Sequence, residues 1–268
     1  MTMYTNFVEM PLVVAVLLIL VPLLALTIIL VTASGRADHQ VRANDNVATA
    51  AIRLIGGAFI FMSAFATVAL WQESTRLADT VGLEFGHASV IVNQLSAQEV
   101  AGTEEIVGHL RTYASIVMDG ELINPRVSSS NDGANEQVFE ATRGIVKLDA
   151  AGTIESDDAK LLFDSLGGMT LARNSRLSQP YPLLPLPIFA LVVVLGVSTI
   201  IIAAMYPTGP DRTLKWIQSL LAFVVVAGLL STVTFLLNGS SGWLREDRQR
   251  PALLFLQESS GQSLPQAP

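Results

Sequence analysis

The side chains that could carry chemistry in this 268-residue chain are few and scattered. There is no cysteine, which removes disulfides, thiolate nucleophiles, iron–sulfur clusters and cysteine-ligated zinc. His39, His87 and His109 sit in separate segments and make no HExxH or similar ligand spacing, so no metal is expected. No phosphate-cradling GxxxxGKS/T or GxGxxG loop is present, and no GxSxG elbow marks a serine nucleophile. Lys147–Leu166 has the rhythm of a calcium loop, with Gly152 as the turn glycine, Ile154 as the apolar position and Asp158 as the closing acid. Lys147 and Ala151 stand where carboxylates are needed, however, and a hard cation wants six or more oxygens. A turn followed by a capped helix is the better reading. The carboxylates between 99 and 164 have no convergent partners and read as solvated helix surface. No catalytic residue, cofactor or enzymatic activity is expected.

The residues that do fall into a pattern are aromatic and small. Phe61 and Phe65 lie four apart, on one side of a helix, with Phe59 further round. That pair is a candidate pore constriction, although packing or lipid contact would use the same residues. Gly56, Gly57, Gly196 and Gly228 are candidate helix-packing positions. Nearby hydroxyls such as Ser63, Thr67, Thr199, Thr232 and Thr234 are suited to bonds between helices.

The elements that must hold these residues are legible from composition. The chain is 51% hydrophobic and 15% charged, with a mean hydropathy of +0.50, whereas soluble domains carry about a quarter of their residues as charges. A bilayer core of about 30 Å takes roughly 20 apolar residues as a helix. Four stretches qualify, at about 8–33, 48–71, 183–206 and 216–237. The expected fold is all-α: an integral membrane protein with four transmembrane helices and a helical soluble domain inserted between spans 2 and 3. The first span has no preceding Lys or Arg and is longer than a signal-peptide core, so it is expected to be retained. No span holds an ionisable residue away from its ends, which argues against proton-relay pumps and ion-coupled transporters.

The domain limits follow as a hairpin at 1–71, an acidic helical domain at 72–182, a second hairpin at 183–237, and an amphipathic segment with a polar tail at 238–268. Residues 72–183 contain 16 acidic and 8 basic positions, against a net charge of −7 for the whole chain. This balance excludes nucleic acid as a partner. Within the domain, Leu77, Val81, Phe85, Ala88, Val92 and Leu95 recur at helical spacing, so the second span is expected to run on as one helix. Ser96 with Glu99, and Thr103-Glu104-Glu105, read as helix starts. Further helices are expected at about 136–149 and 157–175. Asn124–Asn135 is turn-rich and reads as a loop. Arg36, Arg42, Arg53, Arg212 and Lys215 flank the short connections, which the positive-inside rule puts in the cytoplasm. The termini and the central domain are then extracytoplasmic, in a multi-pass protein of the cell (inner) membrane.

Layout and local strings resemble the bacterial bestrophin-like membrane family, a domain of unknown function. The strings are Asn44-Asp45-Asn46-Val47-Ala48 opening span 2, Trp71-Gln72-Glu73 at its exit, and Ala172–Leu177 (ARNSRL) before span 3. The end of span 4, LLNGSSG, departs from the family's acid–proline–glycine ending. True bestrophins are pentameric chloride channels with a hydrophobic neck on the second span, which would make Phe61 and Phe65 the neck. Their helical domain is cytoplasmic, opposite to the positive-inside reading. The resemblance implies a homo-oligomeric anion channel. The empty chemical inventory equally suits an accessory or scaffold subunit of a larger membrane complex. The expected partners are therefore the lipid bilayer and either further copies of the chain or other membrane subunits.

Overall fold

A computed structural model describes residues 7, 10–37, 45–98, 101–122, 130–178, 184–206, 212–238 and 243–260. Its elements are α1 (Leu12–Ala37), α2 (Asp45–Gln98), α3 (Thr103–Ile116), a π turn (Val117–Glu121), α4 (Asp132–Ala150), α5 (Ser156–Ser178), α6 (Leu186–Met205), α7 (Arg212–Asn238) and α8 (Trp243–Ser259). No strand occurs among the described residues. The chain divides into two compact units, Met1–Gln72 with Pro182–Gly239, and Glu73–Tyr181 with Ser240–Pro268. The amphipathic segment after the fourth span thus joins the helical unit.

The first unit contains four stretches long and apolar enough to cross a membrane: Leu12–Ala33, the start of Thr49–Gln98, Leu186–Met205 and Thr213–Asn238. α1 packs on α6 and α7, and α6 packs on α7. Leu23, Phe59, Val192, Ile200, Val226 and Leu230 form the buried centre. Only 17–39% of each span is buried inside the chain. That small share is stable where lipid replaces water, because a lipid tail is as apolar as a leucine and nothing drives the rest inward. Thr49 and Tyr206 share a hydrogen bond of 2.9 Å, and the Asn238 amide donates to the Met10 carbonyl at 2.7 Å. The hydroxyls read above as bonds between helices turn inward instead. Thr67, Thr199, Thr232 and Thr234 each donate to the carbonyl four residues back in their own helix, the nearest acceptor available without water.

In the second unit α3 packs on α4 and α8, and α4 packs on α5. The core holds Val81, Phe85, Ile91, Leu95, Ile106, Leu110, Ile145, Leu162, Met169 and Phe255. Phe85 touches both Phe255 and Tyr113, with ring centres 5.9 and 6.2 Å apart. Two glycines allow close approach: a Cβ on Gly144 would stand 2.6 Å from Ile106, and one on Gly168 would stand 2.6 Å from the His87 ring. The expected helix start at Ser96 is corrected, since α2 runs through to Gln98 and the break falls at Gly102, whose φ of +95° suits a residue without Cβ. α4 starts where Asn131 accepts the Gly133 amide at 2.9 Å. The loop expected at 124–135 gives way to α4 from Asp132, while residues 123–129 lie outside the described set.

Gly196 is the tight point of the first unit, because an added Cβ would lie 3.0 Å from both Phe59 and Val226. Gly196→Val is expected to cost about 1–3 kcal/mol by overpacking, seen as a lower Tm of the full chain in detergent. Gly57→Ala and Gly228→Ala, where nothing lies within 4 Å, are expected to leave the Tm unlowered.

Candidate functional site

The chemistry-bearing residues that the fold brings together are all in the helical unit. Glu84 stands on α2 between Val81 and Phe85, on the stripe of that helix that faces the core. Tyr113 comes from the last turn of α3, and Glu121 closes the π turn. Arg173 and Arg176, one turn apart on α5, face both carboxylates. Exposure is 0% at Glu84, 2% at Glu121, 5% at Arg173 and 4% at Arg176. Charges removed from water to this extent persist only when paired and hydrogen-bonded.

The pairing is complete. Arg176 meets Glu84 through two bonds, Nε to Oε2 at 2.7 Å and Nη2 to Oε1 at 2.9 Å. The same Nη2 reaches Glu121 Oε2 at 2.8 Å. Arg173 Nη2 donates to Glu121 Oε1 at 2.6 Å, and its Nη1 donates to the Asn135 side chain. The Asn131 backbone N–H donates to Glu121 Oε1 at 3.0 Å, so the cap of α4 is tied to the same carboxylate. The Tyr113 hydroxyl donates to Glu84 Oε1, and the Arg173 guanidinium lies 5.5 Å from the Tyr113 ring centre.

Electrostatics follow the contacts. Burial pushes the Tyr113 hydroxyl well above its ordinary 10.0, and the neighbouring Glu84 charge adds to the rise. Burial also opposes ionisation of Glu121, but hydrogen bonds from Arg173, the Asn131 amide and Arg176 outweigh it and hold the carboxyl below 4.5. For Arg176 the Glu84 and Glu121 charges overcome the burial penalty and raise its pKa. Two negative and two positive groups leave the cluster neutral. Every carboxylate oxygen already accepts a hydrogen bond, so the cluster has no open ligand position. It is built to fasten α2, the π turn, α4 and α5 together.

The residues singled out by spacing are placed differently. Phe59 is buried against Gly196, whereas Phe61 and Phe65 are 69% and 55% exposed on α2. Gly56 has Thr199 at an ordinary 4.0 Å, and Gly57 and Gly228 have nothing within 4 Å. His109 bonds Gln137 at 2.8 Å, and His87 covers Gly168, while His39 lies outside the described residues. Among the described residues no group of three metal-ligating side chains occurs. Asp158 accepts from Gln94 and Gln98 at 2.7 and 2.8 Å, and Gly152 has a φ of +64°. The reading of all carboxylates at 99–164 as solvated is corrected at Glu121, whose partners lie 10 to 55 residues away. Two signals pointed to the cluster: an acid at an apolar-stripe position, Glu84, and the i, i+3 arginines of the ARNSRL string.

Four helices long and apolar enough to cross a membrane, with a helical unit interleaved in sequence, define a helical membrane protein. Residues 19–241 match the bestrophin-like domain, and the chain belongs to the bestrophin-like family. Its fold is similar to a bacterial bestrophin homolog from Klebsiella pneumoniae solved by Zn-SAD phasing, at a TM-score of 0.69 and 14% identity, over 92% of this chain and 99% of that chain. A point variant of the Klebsiella homolog matches at 0.70, again with 14% identity and coverage of 92% and 99%. A further structure, described as a membrane protein variant, matches at 0.71 with the same identity and coverage. None of the curated proteins matches.

Glu84→Gln and Arg176→Met are each expected to cost about 3–5 kcal/mol, because each leaves a buried charge without its partner. Chemical denaturation of the full chain in detergent, followed by circular dichroism, measures this. Glu121 sets a pH dependence of known sign. Its pKa is lower in the folded state, so its contribution is full above about 4.5 and is lost as the pH falls toward the native value. Stability measured from pH 7 to pH 3 is expected to fall, and Glu121→Gln is expected to flatten the fall.

Proposed function

We propose that the chain is a non-enzymatic subunit of a homo-oligomeric membrane channel for small anions, with α2 lining the path and Phe61 and Phe65 at its constriction. Membership of the bestrophin-like family, whose characterised members are anion channels, supports the class of activity. One observation carries the assignment to α2. Phe61 and Phe65 point away from the core that buries Phe59, so each subunit offers two aromatic rings to whatever lies outside it. Around a symmetry axis such rings form an apolar collar, a barrier that gates by excluding water. Uncharged walls fit an ion that enters and leaves without a covalent or proton-transfer step.

Purified protein reconstituted in planar bilayers is expected to conduct chloride. Phe61→Ala and Phe65→Ala are each expected to raise unitary conductance by widening the collar. Absence of conductance at every voltage and pH, with other membrane subunits recovered by gentle extraction and cross-linking, would replace this reading with that of an accessory or scaffold subunit. Sidedness follows the basic residues of the short connections, which we infer to be cytoplasmic, with the helical unit opposite. Protease added to intact cells, rather than to inverted vesicles, is then expected to cut between residues 123 and 130.

A further inference from the structure

Arg53 stands apart from the other charged side chain described in the membrane-spanning unit, Lys215, which is buried. It lies eight residues into α2, inside the apolar stretch that begins at Thr49. Its side chain is exposed, and among the described residues it makes no ion pair or hydrogen bond. From there to Glu73 the helix carries no further charge. A guanidinium held against lipid tails is costly, so charged residues within spans face protein or a water-filled space instead.

Helical spacing connects this cation to the exposed rings. Arg53, Gly57, Phe61 and Phe65 are each four residues apart, so they form one ridge that drifts by about 40° per step. All four are exposed. The ridge starts from an anchored point, because Thr49, four residues before Arg53, shares its hydroxyl bond with Tyr206 of α6. Gly57 puts no side chain between the cation and the first ring, and a Cβ there would meet nothing within 4 Å. Glycine weakens a helix; here it opens the stretch of about 12 Å that separates Arg53 from Phe61 along the axis. The short connections and their flanks hold Arg36, Arg42, Arg53, Arg212 and Lys215 against Asp38, Asp45 and Asp211. With every acid counted, this end of the unit stays positive.

We propose that Arg53 is the residue that collects anions for the path, and that a small inorganic anion such as chloride rests between its guanidinium and Gly57 before meeting Phe61 and Phe65. The inference rests on the channel reading above and adds to it the group that chooses the sign of the ion. An apolar collar cannot make that choice, since it excludes dehydrated cations and anions alike. A fixed positive charge at a narrow mouth raises the local concentration of anions and lowers that of cations. Side chains on a helix lean toward its N-terminus, so the guanidinium leans to the mouth and away from the rings.

The full chain and its Arg53→Gln, Arg53→Glu and Arg53→Lys variants are compared in planar bilayers in sodium chloride. At about 0.1 M salt, Arg53→Gln is expected to cut the chloride current entering from the mouth beside Arg53 by about threefold to fivefold. Current from the opposite mouth is expected to change less, and the difference is expected to shrink at about 1 M, where a charge is felt over only about 3 Å. Arg53→Glu is expected to shift the reversal potential in a salt gradient toward that of the cation, and Arg53→Lys is expected to retain the side dependence. A merely structural role would depend on neither salt nor side. Arg53→Gln that conducts like the unaltered chain at both concentrations overturns the proposal and leaves the channel reading standing, whereas silence of the unaltered chain overturns both. The second measurement needs no current. The chain has no cysteine, so Arg53→Cys carries a single thiol. In vesicles, a charged thiosulfonate that cannot cross lipid is expected to label it about tenfold faster than Ile217→Cys, because a thiol reacts as the thiolate that water permits and lipid does not. Ile217 is 57% exposed, five residues into α7. Equal rates at the two positions, or labelling of neither, would place Arg53 at the lipid surface and overturn the assignment.

Discussion

Two carboxylates and two guanidiniums taken out of water together set the arrangement of the helical unit. None of the four tolerates the loss of its neighbours, since a lone buried ion costs several kcal/mol. Glu84 enters from α2, Glu121 from the π turn, and both arginines from α5, with the Asn131 amide bringing in the start of α4. Apolar packing around Phe85, Tyr113 and Phe255 is permissive about exact register. The bidentate Arg176–Glu84 pair is not, because a planar fork accepts a carboxylate in one geometry. Hydrophobic burial supplies the drive to collapse, and the ionic cluster selects the one register in which the helices meet.

The membrane-spanning unit obeys a different rule. Where lipid replaces water, several threonine hydroxyls bond to their own helix and the outer surface stays apolar without penalty. Association there depends on how closely backbones approach, and Gly196 beneath Phe59 is where this is visible. Phe59 and Phe61 are two residues apart and on opposite fates: one packs inside the chain and the other is left for something outside it.

The spans were legible because length and uncharged composition are properties of a continuous stretch, which needs no knowledge of partners. The continuation of α2 was legible for the same reason, through the repeat from Leu77 to Leu95. Helix starts were less so. Ser96 carries a cap sequence, yet the contacts of Leu95 in the core and of Gln98 with Asp158 keep it helical. The pairing within the cluster was out of reach of local reading, because Arg176 and Glu84 are 92 positions apart; an acid on an apolar stripe and two arginines one turn apart hint at buried charge but not at each other. Phe61 and Phe65 stand apart from both cases: their spacing was plain, but their exposure depends on where Phe59 and Gly196 meet.

The π turn constrains the chain in a further way. Its Leu122 amide bonds the Val117 carbonyl at 2.9 Å, five residues back, so the turn holds one residue more than an α-helix would. Removing any single residue from Val117–Gly120 would restore ordinary winding and swing Glu121 by about 100° around the axis, out of reach of both arginines. Asp119 and Gly120 have latitude in identity, whereas Met118 packs against the core, and the count of residues is fixed. Insertions and deletions in this short stretch are therefore forbidden where point changes are tolerated.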